Sequence, residues 1–479
     1  MIATGGLGRG SGVFRRKPIE QISDARTDGD LKRTLGLWQL TAIGIGGIIG
    51  AGIFSLAGAV ANQSAGPAVL VSFLIAGIAS AAAAFCYAEF AGLIPKAGSA
   101  YTYGYAVLGE IVGWFIGWDL LLEYTAIVAV VAIGISGYFG FLLDQLGLHL
   151  PAWMLGAPGS GPGHQVDLFA AVLCLLIAYL LNLGIRSAAR FETFVVGLKV
   201  AVVLLVIVVG FAHVHAGNYT PFFPFGFGGA VTGAATVFFA VFGYDAMSTA
   251  AEESHDAQRH MPKAIIYSLA ISMVLYVLAC LVLTGMQRYT EINPKAGFSG
   301  AFASVGLSGL AGVIAVGAIV GILTVMFTFM LGVTRVWFAM SRDGLLPRWF
   351  AHTHPVRKVP SRVTWIVGAV SAVIAGVLPI KQVAELTNIG ILLAFVVVCV
   401  AVIVLRYRRP DLPRTFRCPG MPIVPAIGVL FSLWLITFLE PVTWLRFAVW
   451  FAIGLVIYLG YGRRRSALAT RQDEVTPTR

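Results

Sequence analysis

The residues in this chain best suited to chemistry share an unusual setting: they are ionisable side chains inside apolar runs. Lys199 lies in Val195-Val196-Gly197-Leu198-Lys199-Val200-Ala201-Val202-Val203, eight residues into such a run. At the helical rise per residue this is roughly 12 Å from the helix start. A lysine at that depth that gains and loses a proton could replace a sodium ion, its ammonium bonding freed backbone carbonyls of a neighbouring helix. The other reading is a lysine whose long stem snorkels to the surface. Glu123, with Asp119 one helical turn before it, lies in another run. Intramembrane carboxylates are costly and tend to mark function. Glu123 could hold a substrate amine through water, or it could be a structural hydrogen-bonding group. Asp245 follows Phe242-Gly243-Tyr244 and reads better as a cap on the backbone amides that follow it than as a ligand group. Arg335 reads as an anchor near a helix end. His213 and His215 read as interfacial rather than as pH sensors.

Two stretches could supply backbone groups to such a site. In residues 41–58, Gly44, Gly46, Gly47, Gly50 and Gly52 fall within nine positions of an apolar run. Each glycine inside a helix costs about 1 kcal/mol relative to alanine, so five together suggest a helix that breaks. Broken backbone at membrane depth is tolerated where it is buried in protein or lines a cavity. In transporters such breaks turn half-helix N-termini toward anionic groups and free carbonyls toward cations. Close helix packing through small residues explains the same pattern equally well. The second stretch is Phe238-Phe239-Ala240-Val241-Phe242-Gly243-Tyr244-Asp245-Ala246. Its rings could gate a site or bound a pocket, or they could be ordinary core.

The elements that must position these groups are membrane helices. Of 479 residues, 58% are hydrophobic and only 11% charged, far from the roughly 25% charged of soluble domains. Apolar runs long enough to span a bilayer are expected at 37–62, 67–92, 105–143, 166–184, 191–213, 229–251, 263–285, 308–340, 361–378, 383–406, 422–440 and 444–462. The chain is therefore read as an all-α polytopic membrane protein with twelve transmembrane helices. Lysine and arginine are divided unevenly: 27 lie in the two tails and the loops on their side, and four lie opposite. This bias places both termini in the cytoplasm, and the expected location is the cell (inner) membrane. It also accounts for the net charge of +11, which is then topological and not a nucleic-acid footprint. Residues 1–36 read as a cytoplasmic tail, 37–406 as the transport core, 407–462 as two further helices and 463–479 as a second cytoplasmic tail. The two break candidates lie five runs apart, so runs 1–5 and 6–10 would be inverted repeats.

No nucleotide-binding Gly-Lys-Ser/Thr loop, nucleophile elbow or metal-ligand spacing is present in the sequence. The five cysteines read as reduced thiols. No catalytic residue, metal or cofactor is expected, and ATP-driven transport by this chain alone is not.

Four segments in order carry a resemblance: 44–54, Ile-Pro-Lys-Ala-Gly-Ser-Ala-Tyr-Thr-Tyr at 94–103, 238–253, and Arg-Val-Trp-Phe-Ala-Met-Ser-Arg-Asp-Gly-Leu-Leu-Pro at 335–347. Together they resemble the amino acid–polyamine–organocation superfamily, and within it the bacterial twelve-helix form of the cationic amino acid transporter family, over about residues 31–462. The resemblance implies a five-plus-five inverted repeat with helices 1 and 6 broken, and alternating access. It implies that the substrate carboxylate meets backbone at Ile48, Gly50, Ala51 and Gly52, and the α-amine meets carbonyls at Phe239, Ala240 and Phe242. Lys199 matches the family's proton-coupling lysine, Thr324 falls where a hydroxyl can bond it, and Glu123 matches an acid near the substrate. Ala51 departs from a threonine common in relatives, and Phe242 from an isoleucine. The resulting expectation is a proton-coupled symporter of L-amino acids, small neutral ones favoured, with the proton as coupling ion. An exchanger, a cationic amino acid uniporter and, distantly, a nutrient sensor are the alternatives. Expected partners are the amino acid, membrane lipid and a possible small single-span subunit.

Overall fold

The structure, a computed structural model, describes residues 35–94, 99–183, 189–245, 247, 254–352 and 359–466. Most of both expected tails therefore lies outside the described residues. What is described is helical, with isolated bridges such as Leu35 with Ser254 in place of sheet.

The first run begins as α1 (Leu37–Ile48). The β-branched pair Ile48-Ile49 followed by Gly50 is poor helix sequence, and the helix stops there: Ile49 is extended, with ψ 104°. The chain re-enters helix as a π-helical turn, Gly52–Leu56. It then passes through Gly66 and Pro67 into α2 (Val69–Leu93). α3 (Ser99–Val107) precedes α4 (Glu110–Gln145). A single third span from 105 was expected. The structure divides it at Gly109, whose φ of 114° is a conformation that only glycine adopts readily.

α5 (Leu168–Asn182) is capped by Asp167, whose carboxylate accepts from the Ala170 amide at 3.0 Å. α6 (Ala189–Phe211) carries Lys199. α7 (Gly226–Val237) tightens into a 3₁₀ turn at Phe238–Val241. Phe242 is then extended and Gly243 has φ 119°. The remaining helices are α8 (Ala257–Met286), α9 (Gly297–Ser304), α10 (Ser308–Arg342), α11 (Ser361–Val377), α12 (Ile380–Arg408), α13 (Ile423–Ile436) and α14 (Pro441–Ile457). Among the described residues, seven helical segments are long and apolar enough to cross a membrane, the first of them Leu37–Leu93, which holds two of the expected runs and the interruption at Ile49. Four shorter apolar helices accompany them.

Packing follows a regular pattern. α2 lies along α8, α4 along α10, and α5 along α11. α4 is the central column and also touches α12, α11 and α5. The basic loops gather at one end. There Arg406 and Arg414 both reach the buried carboxylate of Glu89, Arg414 at 2.9 Å, and the Cys418 amide donates to it at 2.8 Å. At the other end Asn62 donates to the Tyr289 and Thr290 carbonyls, and Lys381 pairs with Glu440 at 2.8 Å.

Candidate functional site

Breaking a helix leaves carbonyls without their intrahelical partners, and inside a membrane water does not supply replacements. Here the first break is answered by side chains from other helices. The Ile48 carbonyl accepts from the Tyr276 hydroxyl at 2.7 Å, and the Gly46 carbonyl accepts from the Lys199 ammonium at 2.8 Å. Phe54, in the π-helical turn, accepts from Tyr138 at 2.5 Å. The second break is answered in the same way. Ser80 donates to the Val241 carbonyl at 2.9 Å, and Asn388 donates to the Ala235 and Thr236 carbonyls at 2.7 and 2.9 Å.

The two breaks lie against each other. A Cβ added to Gly47 would stand 2.6 Å from the Gly243 carbonyl oxygen, and one added to Gly52 would stand 2.3 Å from the Ala240 Cβ. The glycine-rich stretch thus serves both readings of it. Gly50 sits at the break, while Gly44, Gly46 and Gly47 lie within α1 and admit Ser268, Val196 and Gly243. Gly50 itself faces Val325 of α10, and Ala51 lies against Gly134 of α4. Ile48, Gly50, Ala51, Gly52, Phe239, Ala240 and Phe242 are all buried, Phe239 the least so.

Lys199 is wholly buried, so its stem does not snorkel. It runs across Gly321 of α10, where any Cβ would press on it at 2.8 Å. Thr324, one turn further along α10, donates to the Gly321 carbonyl at 2.9 Å. Its oxygen keeps acceptor capacity. Lys199 and Thr324 therefore flank the same glycine.

Glu123 is 1% exposed, and neither of its carboxylate oxygens has a hydrogen-bond partner among the described residues. Beside it, the Tyr124 hydroxyl donates to Asp245 at 2.5 Å. The expected capping of the following half-helix by Asp245 falls on residues 246 and 248–253, which lie outside the described residues. Asp119 packs its Oδ1 against Gly390 of α12.

The aromatic residues at the second break do form a cluster, but its centre was not among the expected residues. Phe395 of α12 meets Phe238, Phe242, Tyr244 and Tyr87 with ring centroids 5.6 to 6.0 Å apart. Tyr276, Ser80 and Asn388 were missed as well. Each is a hydroxyl or amide inside an apolar run, and that was the signal available for them.

At the end away from the basic loops a cavity of about 370 Å³ opens. Its floor reaches Ser55 and Thr236, which stand three residues from Gly52 and from Phe239. Asp167, Lys295, Asp144 and Glu440 line its walls. Burial lowers the Lys295 ammonium below the usual lysine range, against the opposing pull of Asp167 and then Asp144.

Two interruptions in contact, with a buried lysine on the first and, on α4, a buried acid that has no hydrogen-bond partner among the described residues, fit a membrane carrier. The family model described as "Amino acid permease" matches residues 35–459, and the chain belongs to that family. It is 47% identical to the methylthioribose transporter of Bacillus subtilis (strain 168), over 96% of this chain and 99% of the relative. It is 46% identical to the branched-chain amino acid permease BcaP of the same organism, over 95% and 99%. It is also 37% identical to cationic amino acid transporter 4, vacuolar, of Arabidopsis thaliana, over 83% and 68%.

Proposed function

We propose that this protein is a proton-coupled symporter of neutral aliphatic L-amino acids in the cell membrane, with both termini cytoplasmic. The observation that carries the reading is the Lys199 ammonium on the Gly46 carbonyl, at the break itself. A protonated lysine fills the place a cation would take between α1 and α10, and losing the proton releases α1. The amide groups of Gly50, Ala51 and Gly52 bind the substrate carboxylate, as expected of a helix N-terminus. Carbonyls at Phe239, Ala240 and Phe242 bind the amine, with the Glu123 carboxyl of α4 as a further acceptor. Thr324 supports Lys199 from α10.

Alternating access then works as rocking of one repeat against the other. Twelve spans in a five-plus-five repeat are supported by the packing. The run holding α2 pairs with that of α8, α4 with α10 and α5 with α11, each five runs apart, as are the two breaks. The relative named as a branched-chain permease, at 46% identity, supports neutral aliphatic substrates. A second reading, carriage of a neutral thiosugar, is favoured by the relative named as a methylthioribose transporter.

The test is uptake into proteoliposomes of radiolabelled alanine, leucine and methylthioribose, with and without an inward proton gradient. Gradient-driven accumulation of leucine or alanine, blocked by unlabelled neutral amino acids and not by arginine, supports the symporter. Uptake indifferent to the gradient but stimulated by internal amino acid means exchange. Uptake of methylthioribose alone assigns the second reading.

A further inference from the structure

The cavity that ends one helical turn above the breaks has the features of a binding site of its own. The breaks below it are closed by backbone contact, at Gly47 with Gly243 and at Gly52 with Ala240. A solute entering the cavity therefore meets Ser55 and Thr236 before it can meet Gly50 or Phe239. Ser55 is 1% exposed, lines the cavity, and its hydroxyl has no hydrogen-bond partner among the described residues. A buried hydroxyl left without a partner is costly, and this oxygen lies just behind the cavity floor, with less than 1 Å² of it open. At about 370 Å³ the space lies within the range of small-molecule sites.

The walls carry both signs of charge. Lys295 donates to the Leu155 carbonyl at 3.2 Å and ion-pairs with no carboxylate among the described residues. Asp144 stands exposed on the same wall, paired loosely with His149 at 3.6 Å, and Asp167 lies deeper, held by Ser136 at 2.7 Å. By contrast, Lys381 and Glu440 satisfy each other at 2.8 Å. The cation left without a carboxylate and the acids beside it are spaced around one small volume, which suits a molecule carrying both charges.

We propose that this cavity is a second amino acid site, distinct from the breaks, that holds the incoming zwitterion with its carboxylate on Lys295 and its ammonium toward Asp144 and Asp167, over the Ser55 hydroxyl. The proposal rests on the amino acid reading above and adds a step to it: the substrate is oriented in the cavity before the breaks part.

Gly140 provides the test. It lines the cavity, and a Cβ there would meet nothing within 4 Å. All five natural cysteines are buried, so Gly140→Cys gives one accessible thiol. The rate at which a charged methanethiosulfonate reagent modifies this thiol is measured on the solubilised full-length chain at rising concentrations of L-leucine, L-alanine or methylthioribose. The expected result is that the amino acids slow modification and methylthioribose does not. Adding Lys295→Gln should raise the half-protecting concentration by about tenfold, the weight of one charge-assisted contact.

Three results overturn the proposal. One is no protection by an amino acid that wild-type proteoliposomes do accumulate; this leaves the transport reading standing. Another is protection that is unchanged by Lys295→Gln and half-maximal at the concentration that half-saturates uptake, because occupancy of the breaks then closes the cavity from a distance. The third is equal protection by methylthioribose, which makes the charges irrelevant. Absence of amino acid uptake in the wild type, by contrast, removes the transport reading on which the proposal rests.

Discussion

Gly47 and Gly243 hold the two breaks together backbone against backbone. A Cβ on Gly47 would lie 2.6 Å from the Gly243 carbonyl oxygen, and one on Gly243 would lie 2.5 Å from that of Gly47. Gly243 also has φ 119°. Gly243→Ala must therefore relieve a backbone clash and adopt a conformation that costs of order 1–3 kcal/mol. Uptake should fall by about tenfold or more, the factor that ~1.4 kcal/mol represents. Gly140→Ala, in open space, should stay near wild type. Equal uptake rates for the two variants would mean that the breaks separate easily and that the contact does not govern the site.

The Tyr276 hydroxyl satisfies the Ile48 carbonyl at the point where α1 stops. Tyr276→Phe keeps the ring and its edge contact with Phe73 at 5.3 Å but leaves that carbonyl buried and unbonded. The cost of such an orphaned group is about 1–3 kcal/mol. The thermal unfolding midpoint of the solubilised protein should fall, and apparent substrate affinity should change with it because α1 ends differently. An unchanged midpoint would show that another donor replaces the tyrosine.

How much of this was legible in the sequence depends on the range of the interaction. The depth of Lys199 and the presence of two interruptions were readable, because both are properties of a single run. The partner of Lys199 was not: Gly46 lies 153 positions away, and only packing of α6 on α1 brings them together. The glycine stretch offered two readings that composition could not separate, and the structure uses both. Tyr276, Ser80 and Asn388 carry no local pattern, since each answers a carbonyl on a distant helix. The third run was read as starting at 105 because its hydropathy is continuous there. The division depends on the backbone of Gly109, to which hydropathy is blind.

Glu89 binds two arginines and an amide at the basic end. Arg414 is 1% and Glu89 2% exposed. Removing one member of a buried charge cluster strands the others, typically at roughly 3–5 kcal/mol. Glu89→Gln should lower the unfolding midpoint markedly. Because the cost comes from the stranded charge, adding Arg414→Met to Glu89→Gln should recover part of it. A strictly additive loss in the double variant would argue that the two side chains act independently.

The last expectation concerns Lys199, whose hydrogen bond to Gly46 could hold α1 in place without any part in energetics. Two substitutions separate these roles. Lys199→Ala removes both the bond and the proton. Lys199→Gln keeps an N–H donor that can still reach toward the Gly46 carbonyl, but it cannot take up or release a proton at neutral pH. If the lysine only fastens α1, Lys199→Gln should accumulate amino acid against a gradient as the wild type does, and Lys199→Ala should fail. If proton binding at Lys199 drives the cycle, both variants should lose gradient-driven accumulation in proteoliposomes. Lys199→Gln should nonetheless retain amino acid binding and the wild-type elution profile. The second outcome is expected, because the Lys199 ammonium sits wholly buried on the Gly46 carbonyl at the break, where its charge stands in the place of a cation. Wild-type accumulation by Lys199→Gln would remove the lysine from the coupling mechanism and leave it as a strut.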